Sequence, residues 1–219
     1  MIQAIAAKDV TLREFKQNLG IQISQDPAFF PEWLESFTSL SEEEHRLLDR
    51  VKANFLELME DPPILENTVK MVVLAPLLDL AGFYHKPFRI ETETAIALEM
   101  KDEETIIRGR IDVLVINNQL WLLVIESKRS DFAVTRAIPQ ALAYMLSNSE
   151  TLHSTFGMIT NGNEFLFLKT SHNEYANSRL FSLVNPNNEL YEVLQILKHL
   201  GSKICMVVSL NQESQSLQC

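Results

Sequence analysis

The 219-residue chain has only two cysteines, Cys205 and Cys219, both near the C-terminus and in no metal-ligand spacing. That scarcity excludes a disulfide framework and fits a reducing compartment. No apolar run approaches the ~20 residues that a bilayer span requires, and residues 1–9 lack a charged segment ahead of a long apolar one. The chain therefore reads as a cytoplasmic protein with no signal peptide and no membrane association. His45, His85, His153, His172 and His199 are scattered singly, so no zinc site is read. There is no internal repeat and no low-complexity tract. Cationic residues are also scarce overall. The formal charge is −10, which argues against nonspecific attraction of nucleic acid by bulk electrostatics. Residues 105–140 run the other way, with five basic residues against three acidic ones, so a basic site on an acidic body is open to the chain.

A hydrophobic content of 46% and a charged content of 22% suit a globular domain with a real core. Residues 1–62 read as a helical N-terminal extension. Leu12, Phe15 and Leu19 have helical spacing up to Gly20, Phe29, Phe30 and Trp33 lie in a proline-bracketed loop expected to pack on the main domain, and Ser41 with Glu44 forms a capping-box pattern ahead of the stripe Leu47, Leu48, Val51, Phe55 and Leu58. A helix over residues 65–81 carries Pro76, which predicts a kink, and ends at Gly82. A strand follows over 88–100, then a hairpin over 107–128, a helix over 134–146, and a second hairpin around Asn161-Gly162-Asn163. A last helix starts at Asn187 or Asn188 and stops at Gly201, and residues 206–219 read as a tail. This order predicts one α/β domain over residues 63–205 with a mixed sheet.

The hairpin at 107–128 holds the chemistry. Its two runs are apolar at odd and even positions alike, as in a strand pair covered on both faces, yet they contain Asp112, Glu126 and Lys128. Buried charge is costly unless it is paired or coordinated. A hard divalent cation bound to Asp112 and Glu126 would stabilise both, and all-oxygen ligation suits Mg²⁺ or Mn²⁺. Such an ion, with Lys128 orienting or deprotonating a water, is equipped for phosphodiester hydrolysis. The geometry depends on register. A loop of Asn117, Asn118 and Gln119 sets Asp112 opposite Val124, with Glu126 as diagonal neighbour, Arg110 opposite Glu126 and Arg108 opposite Lys128. A two-residue loop puts the carboxylates on opposite faces unless a bulge compensates. In that setting Arg110 is either a structural partner of Glu126 or, with Arg108, a phosphate ligand. Gln140 and Tyr144, four apart, share a helical face. Glu66 has an ordinary reading as a first-turn carboxylate favoured by the helix dipole.

An Asp in one strand, Glu126-Ser127-Lys128 ending the next, and a following helix with Gln140-Ala141-Leu142-Ala143-Tyr144 together resemble the PD-(D/E)xK nuclease superfamily, and in particular the nuclease domain of type I restriction enzyme R subunits. The resemblance covers residues 66–169. It implies a restriction-endonuclease-like mixed β-sheet flanked by helices, with Asp112 and Glu126 as metal ligands, the Ser127 carbonyl and Glu66 as further ligands, and Lys128 at the water. Gln140 and Tyr144 would orient the strand or support the site. Ile111 stands where these proteins often have Pro. The implied activity is Mg²⁺-dependent DNA endonuclease, acting with a restriction-modification or motor subunit or as a homodimer. The chain contains no Gly-x-x-x-x-Gly-Lys-Ser/Thr loop, so it is not a complete motor subunit, and its terminal helices read as the edges of a stand-alone protein. The alternative is a nuclease-fold module that binds DNA or protein without efficient cleavage, a reading favoured by the acidic surface and disfavoured by the intact acid, acid and lysine.

Overall fold

The computed structural model describes residues 3–216 apart from 36, 100–104, 118–119 and 148–153; for residues 3, 117, 120–127 and 204–216 it describes the backbone. In chain order the elements are β1 (Gln3–Ala6), α1 (Leu12–Leu19), β2 (Gln22–Ile23), α2 (Glu42–Leu58), α3 (Glu66–Val69), α4 (Ala75–Leu80), β3 (Phe88–Glu99), β4 (Thr105–Asn117), β5 (Leu120–Ser127), α5 (Ile138–Leu146), β6 (Thr155–Thr160), β7 (Glu164–Ser171), β8 (Glu174–Asn177), β9 (Phe181–Ser182) and α6 (Leu190–Ser216). The strands form one 9-stranded sheet in the order β1-β4-β5-β6-β7-β8-β2, with β3 on β4 and β9 on β7. It is mixed: β1 with β4, β5 with β6 and β2 with β8 are parallel, and the other pairs are antiparallel. Parallel β5 and β6 need a crossover, and α5 supplies it.

Helices cover both faces. On one face, α2, α3, α4 and α6 bury Phe55, Val73, Leu77 and Leu194 against Val115 and Phe167 of the sheet. On the other, α1 and α5 bury Phe15, Leu142 and Tyr144 against Ile107 and Ile159. The expected mixed α/β class is therefore the observed one. Full burial of a single side chain such as Phe55 contributes about 1.5–3 kcal/mol. Among the described residues, no helix is long and apolar enough to cross a membrane.

The local signals mostly decide the helices. Ser41 and Glu44 form the expected capping box, and Thr11 and Glu14 form a second one ahead of α1, which stops at left-handed Gly20, φ 69°. Phe30 and Trp33 dock as expected, with ring centroids 6.0 Å from Phe156 and 6.5 Å from Phe181. Between them Glu32, buried, pairs with Lys169 at 2.8 Å.

Three expectations need correction. Residues 1–62 are not only helical, because β1 and β2 join the main sheet. They are too short to alternate visibly and are defined by their partners β4 and β8. The helix read over 65–81 is continuous but passes through a π-turn at Lys70–Leu74, where the Ala75 N–H donates to the Lys70 carbonyl. Pro76 lacks an N–H and would crowd the carbonyl four residues back in a regular α-helix, so the widened turn takes the place of a kink. Gly201 does not stop α6, which runs on to Ser216. A Cβ at Gly201 would stand 3.0 Å from the Phe83 ring, so the glycine serves close packing there.

Candidate functional site

Asn117 pairs with Leu120, so residues 118–119 connect the strands and the expected three-residue loop is corrected to two. Alone, that connection would set Asp112 and Glu126 on opposite faces. A bulge between Val115 and Ile116 offsets the ladder, so that Leu114 faces Val124 and Val113 faces Ile125. The paired ladder ends there, next to Asp112 and Glu126. Arg110 and Arg108 consequently do not stand opposite Glu126 and Lys128; their registered partners are Ala95 and Ala97 of β3, and Arg108 also registers with Ala6 of β1. The side chains of Glu126 and Ser127 lie outside the described atoms. Their backbone positions register with Ile159 and Thr160 of β6.

Asp112 sits where β4 is irregular. Ile107 and Ile111 share one core with Leu114 and Ile116, so the alternation of the strand shifts by one between Ile111 and Leu114. On the paired strand, Glu93 is left-handed, φ 54°, between the pairs Thr92–Val113 and Thr94–Ile111. A non-glycine residue in that conformation stores about 1–2 kcal/mol. Against this break Lys70, the first residue of the π-turn, donates to Asp112 Oδ1 at 2.6 Å and lies 3.7 Å from Glu93 Oε1. Burial opposes the Lys70 charge, but the Asp112 hydrogen bond and the charges of Asp112, Glu93 and Glu66 outweigh it and hold the ammonium above its ordinary pKa. Glu66 lies one turn before Lys70 on the same continuous helix.

The segment after β5 is fastened to that helix. The Lys128 N–H donates to Thr160 O at 2.7 Å, the Ser130 N–H to Ile64 O at 3.0 Å, and the Ile64 N–H to Ser130 Oγ at 2.9 Å. Buried Asn161 completes the clamp. Its Nδ2 donates to Phe132 O at 2.9 Å and its Oδ1 accepts from the Glu164 N–H at 2.7 Å. Lys128 Nζ lies 5.7 Å from the Phe132 ring centroid. Glu66 thereby lines a cavity of about 220 Å³ with Arg129, Asp131 and Phe132, in which Arg129 and Asp131 pair at 2.9 Å.

On the other face of the sheet, Gln140 Nε2 donates to Tyr144 Oη at 2.6 Å, so the two residues read as one helical face do meet. Tyr144 is buried against Gly109, which separates exposed Arg108 from exposed Arg110. A Cβ there would lie 2.7 Å from Tyr144 Cε1 and 3.0 Å from Ala7 Cβ. Gly109→Ala is therefore expected to cost about 1–3 kcal/mol through overpacking. Thermal melting checks this: at about 2–4 °C per kcal/mol for a chain of this size the fall is about 2–12 °C, and an unchanged melting temperature would show that Tyr144 is not held against β4.

Asp112, Glu66 and Glu93 surround Lys70 with hard oxygen donors, the chemistry that Mg²⁺ or Mn²⁺ prefers. Among the described residues no three carboxylate, histidine or cysteine side chains lie close enough together to hold an ion. Sequence reasoning missed Lys70, Glu93 and Gly109, and read Asn161 only as a turn residue. Gly109 carried a usable signal, since a lone glycine inside a strand marks close approach of another group.

The family model described as "Type I restriction enzyme R protein N terminus" matches residues 7–176. No curated protein matches the chain. Among solved structures, the fragment structure of a protein assigned as an HsdR subunit of a type I restriction enzyme from Vibrio vulnificus YJ016 aligns at a TM-score of 0.40 and 19% identity, over 64% of this chain and 26% of that one. The chain thus spans about a quarter of that relative's length.

Proposed function

Because the chain belongs to the family of the type I restriction enzyme R protein N terminus, we propose that it is a Mg²⁺- or Mn²⁺-dependent DNA endonuclease of the PD-(D/E)xK type, working at Asp112, Glu126 and Lys128. The observation that supports this most is the β4–β5 bulge. It restores the parity that the short connection would have lost and carries the ladder to Val113–Ile125, the pair next to Asp112 and Glu126.

Asp112 and Glu126 are the residues that would hold the ion, with the Ser127 carbonyl and Glu66 completing the oxygen set. When bound, the ion supplies Lewis acidity and positive charge toward the phosphoryl oxygens. Lys128 orients the attacking water and accepts or relays its proton; its backbone is fixed by Thr160 and its strand end by the Ser130–Ile64 pair. Gln140 and Tyr144 support β4 from beneath. Exposed Arg108 and Arg110 take the phosphates of the substrate strand, a local contribution that offsets the acidic body. The cytoplasm is the matching compartment. A translocating subunit, a methylase or a second copy would deliver the DNA.

The test is nicking of supercoiled plasmid in Mg²⁺ or Mn²⁺, with chelator and Lys128→Ala as controls. Loss of the lysine is expected to slow nicking about 10²–10⁴-fold. Equal activity in wild type and variant would remove Lys128 from the chemistry, and DNA binding without chelator-sensitive nicking would leave a binding module.

A further inference from the structure

Three irregularities meet at one point of this fold. The helix that carries Glu66 widens into a π-turn whose first residue is Lys70, β3 turns left-handed at Glu93, and β4 loses its alternation at Asp112. π-turns and strained non-glycine residues cluster at functional sites. Here they have one result in common, which is to bring an ammonium group against the carboxylate read as a metal ligand. Lys70 Nζ is 2.6 Å from Asp112 Oδ1 and 3.7 Å from Glu93 Oε1, and the Lys70 and Asp112 side chains are 22% and 14% exposed. A surface salt bridge would need none of this distortion.

We propose that Lys70 is the resident counter-charge of the metal site: its ammonium holds Asp112 in place and competes with the divalent cation for that carboxylate, so that Lys70 sets the cation affinity. The proposal rests on the reading of Asp112 as a ligand. An ammonium in contact with Asp112 neutralises the charge that an incoming cation needs, and the cation can engage Asp112 only by displacing Lys70 or by tolerating like charge at close range. Glu93 and Glu66 give the displaced ammonium somewhere to go. Both already act on its charge, and Glu93 is within 4 Å of it. Lys70 is on this account a positioning residue, distinct from Lys128, which belongs to the water.

Calorimetric titration of the full chain with Mn²⁺ tests it, using Lys70→Met, Lys70→Gln, Lys70→Arg and Asp112→Asn. Removal of a unit charge beside a divalent ion is expected to tighten binding at least about tenfold in Lys70→Met and Lys70→Gln. Lys70→Arg, which keeps the charge, should stay near wild type. In chelator Lys70→Met should melt below wild type, because Asp112 then lacks the ammonium, and Mn²⁺ should raise its melting temperature more than that of wild type. Asp112-dependent binding that is unchanged or weakened in both neutral variants overturns the role of Lys70 and leaves the metal reading standing. Binding that is absent throughout, or that survives Asp112→Asn, overturns the metal reading itself and the role of Lys70 with it.

Discussion

Asp112→Asn is expected to lower chelator-sensitive plasmid nicking about 10³-fold or more and to abolish Mn²⁺ binding. Asparagine keeps the shape of the side chain and removes only its charge, so the loss measures electrostatics. Removing one preorganised polar group from a developing charge costs about 10²–10³ in rate, and Asp112 is proposed to hold the ion that acts on that charge. The substitution also exchanges a half-buried, charge-assisted contact with Lys70 for a neutral one, at a cost of about 1–3 kcal/mol. These two effects separate in the same preparation. A modest fall in melting temperature alongside near-complete loss of nicking supports the ligand role. A variant that melts lower but nicks within tenfold of wild type would show that Asp112 serves the fold alone.

The largest effect on stability is expected at Gly162. It closes the β6–β7 hairpin with φ +88°, and a Cβ on it would run into the Phe55 ring and lie 3.2 Å from Val69 Cγ1. Gly162→Ala therefore pays twice, about 1–2 kcal/mol for a left-handed alanine and about 1–3 kcal/mol for overpacking. Together they reach a substantial share of the 5–15 kcal/mol that holds a domain folded. Chemical denaturation should show a reduced midpoint with an unchanged slope. Combining it with Phe55→Leu relieves the collision but not the backbone conformation, so the double variant should lose less than the two single losses added. Strict additivity would contradict the contact. Because Phe55 and Val69 belong to α2 and α3, the same substitution should also loosen the helix that carries Glu66 and Lys70.

Asp112, Glu126 and Lys128 stand out in the sequence because charge inside two apolar runs has few inexpensive explanations, and their role as a centre is the proposal made above. Gln140 and Tyr144 were legible by spacing, and their side chains meet. The exact register was not, because a bulge between Val115 and Ile116 leaves no mark on composition, and Arg108 and Arg110 register with β3, where the ladder of β4 with β5 does not reach. Lys70 was invisible for a different reason. It lies 42 residues from Asp112 in sequence, and in a helix with no neighbour in view it reads as one more solvated cation. Glu93 sits in an alternating Glu-Thr-Glu-Thr run that gives no hint of a left-handed residue. The short strands β1 and β2 exist as strands only because β4 and β8 offer them an edge.

A nascent chain cannot set Glu66 beside the turn that follows Lys128 until Ile64 and Ser130 exchange their hydrogen bonds across 66 residues of sequence. Closing so long a loop is entropically unfavourable, and the contact that closes it is tertiary, not local. The parts of the proposed centre are accordingly gathered by tertiary structure alone. A chain that is half folded, nicked between these segments, or partly unfolded under stress carries the residues without the arrangement. The proposed chemistry is thereby tied to the folded state, and no local segment of the chain can carry it alone.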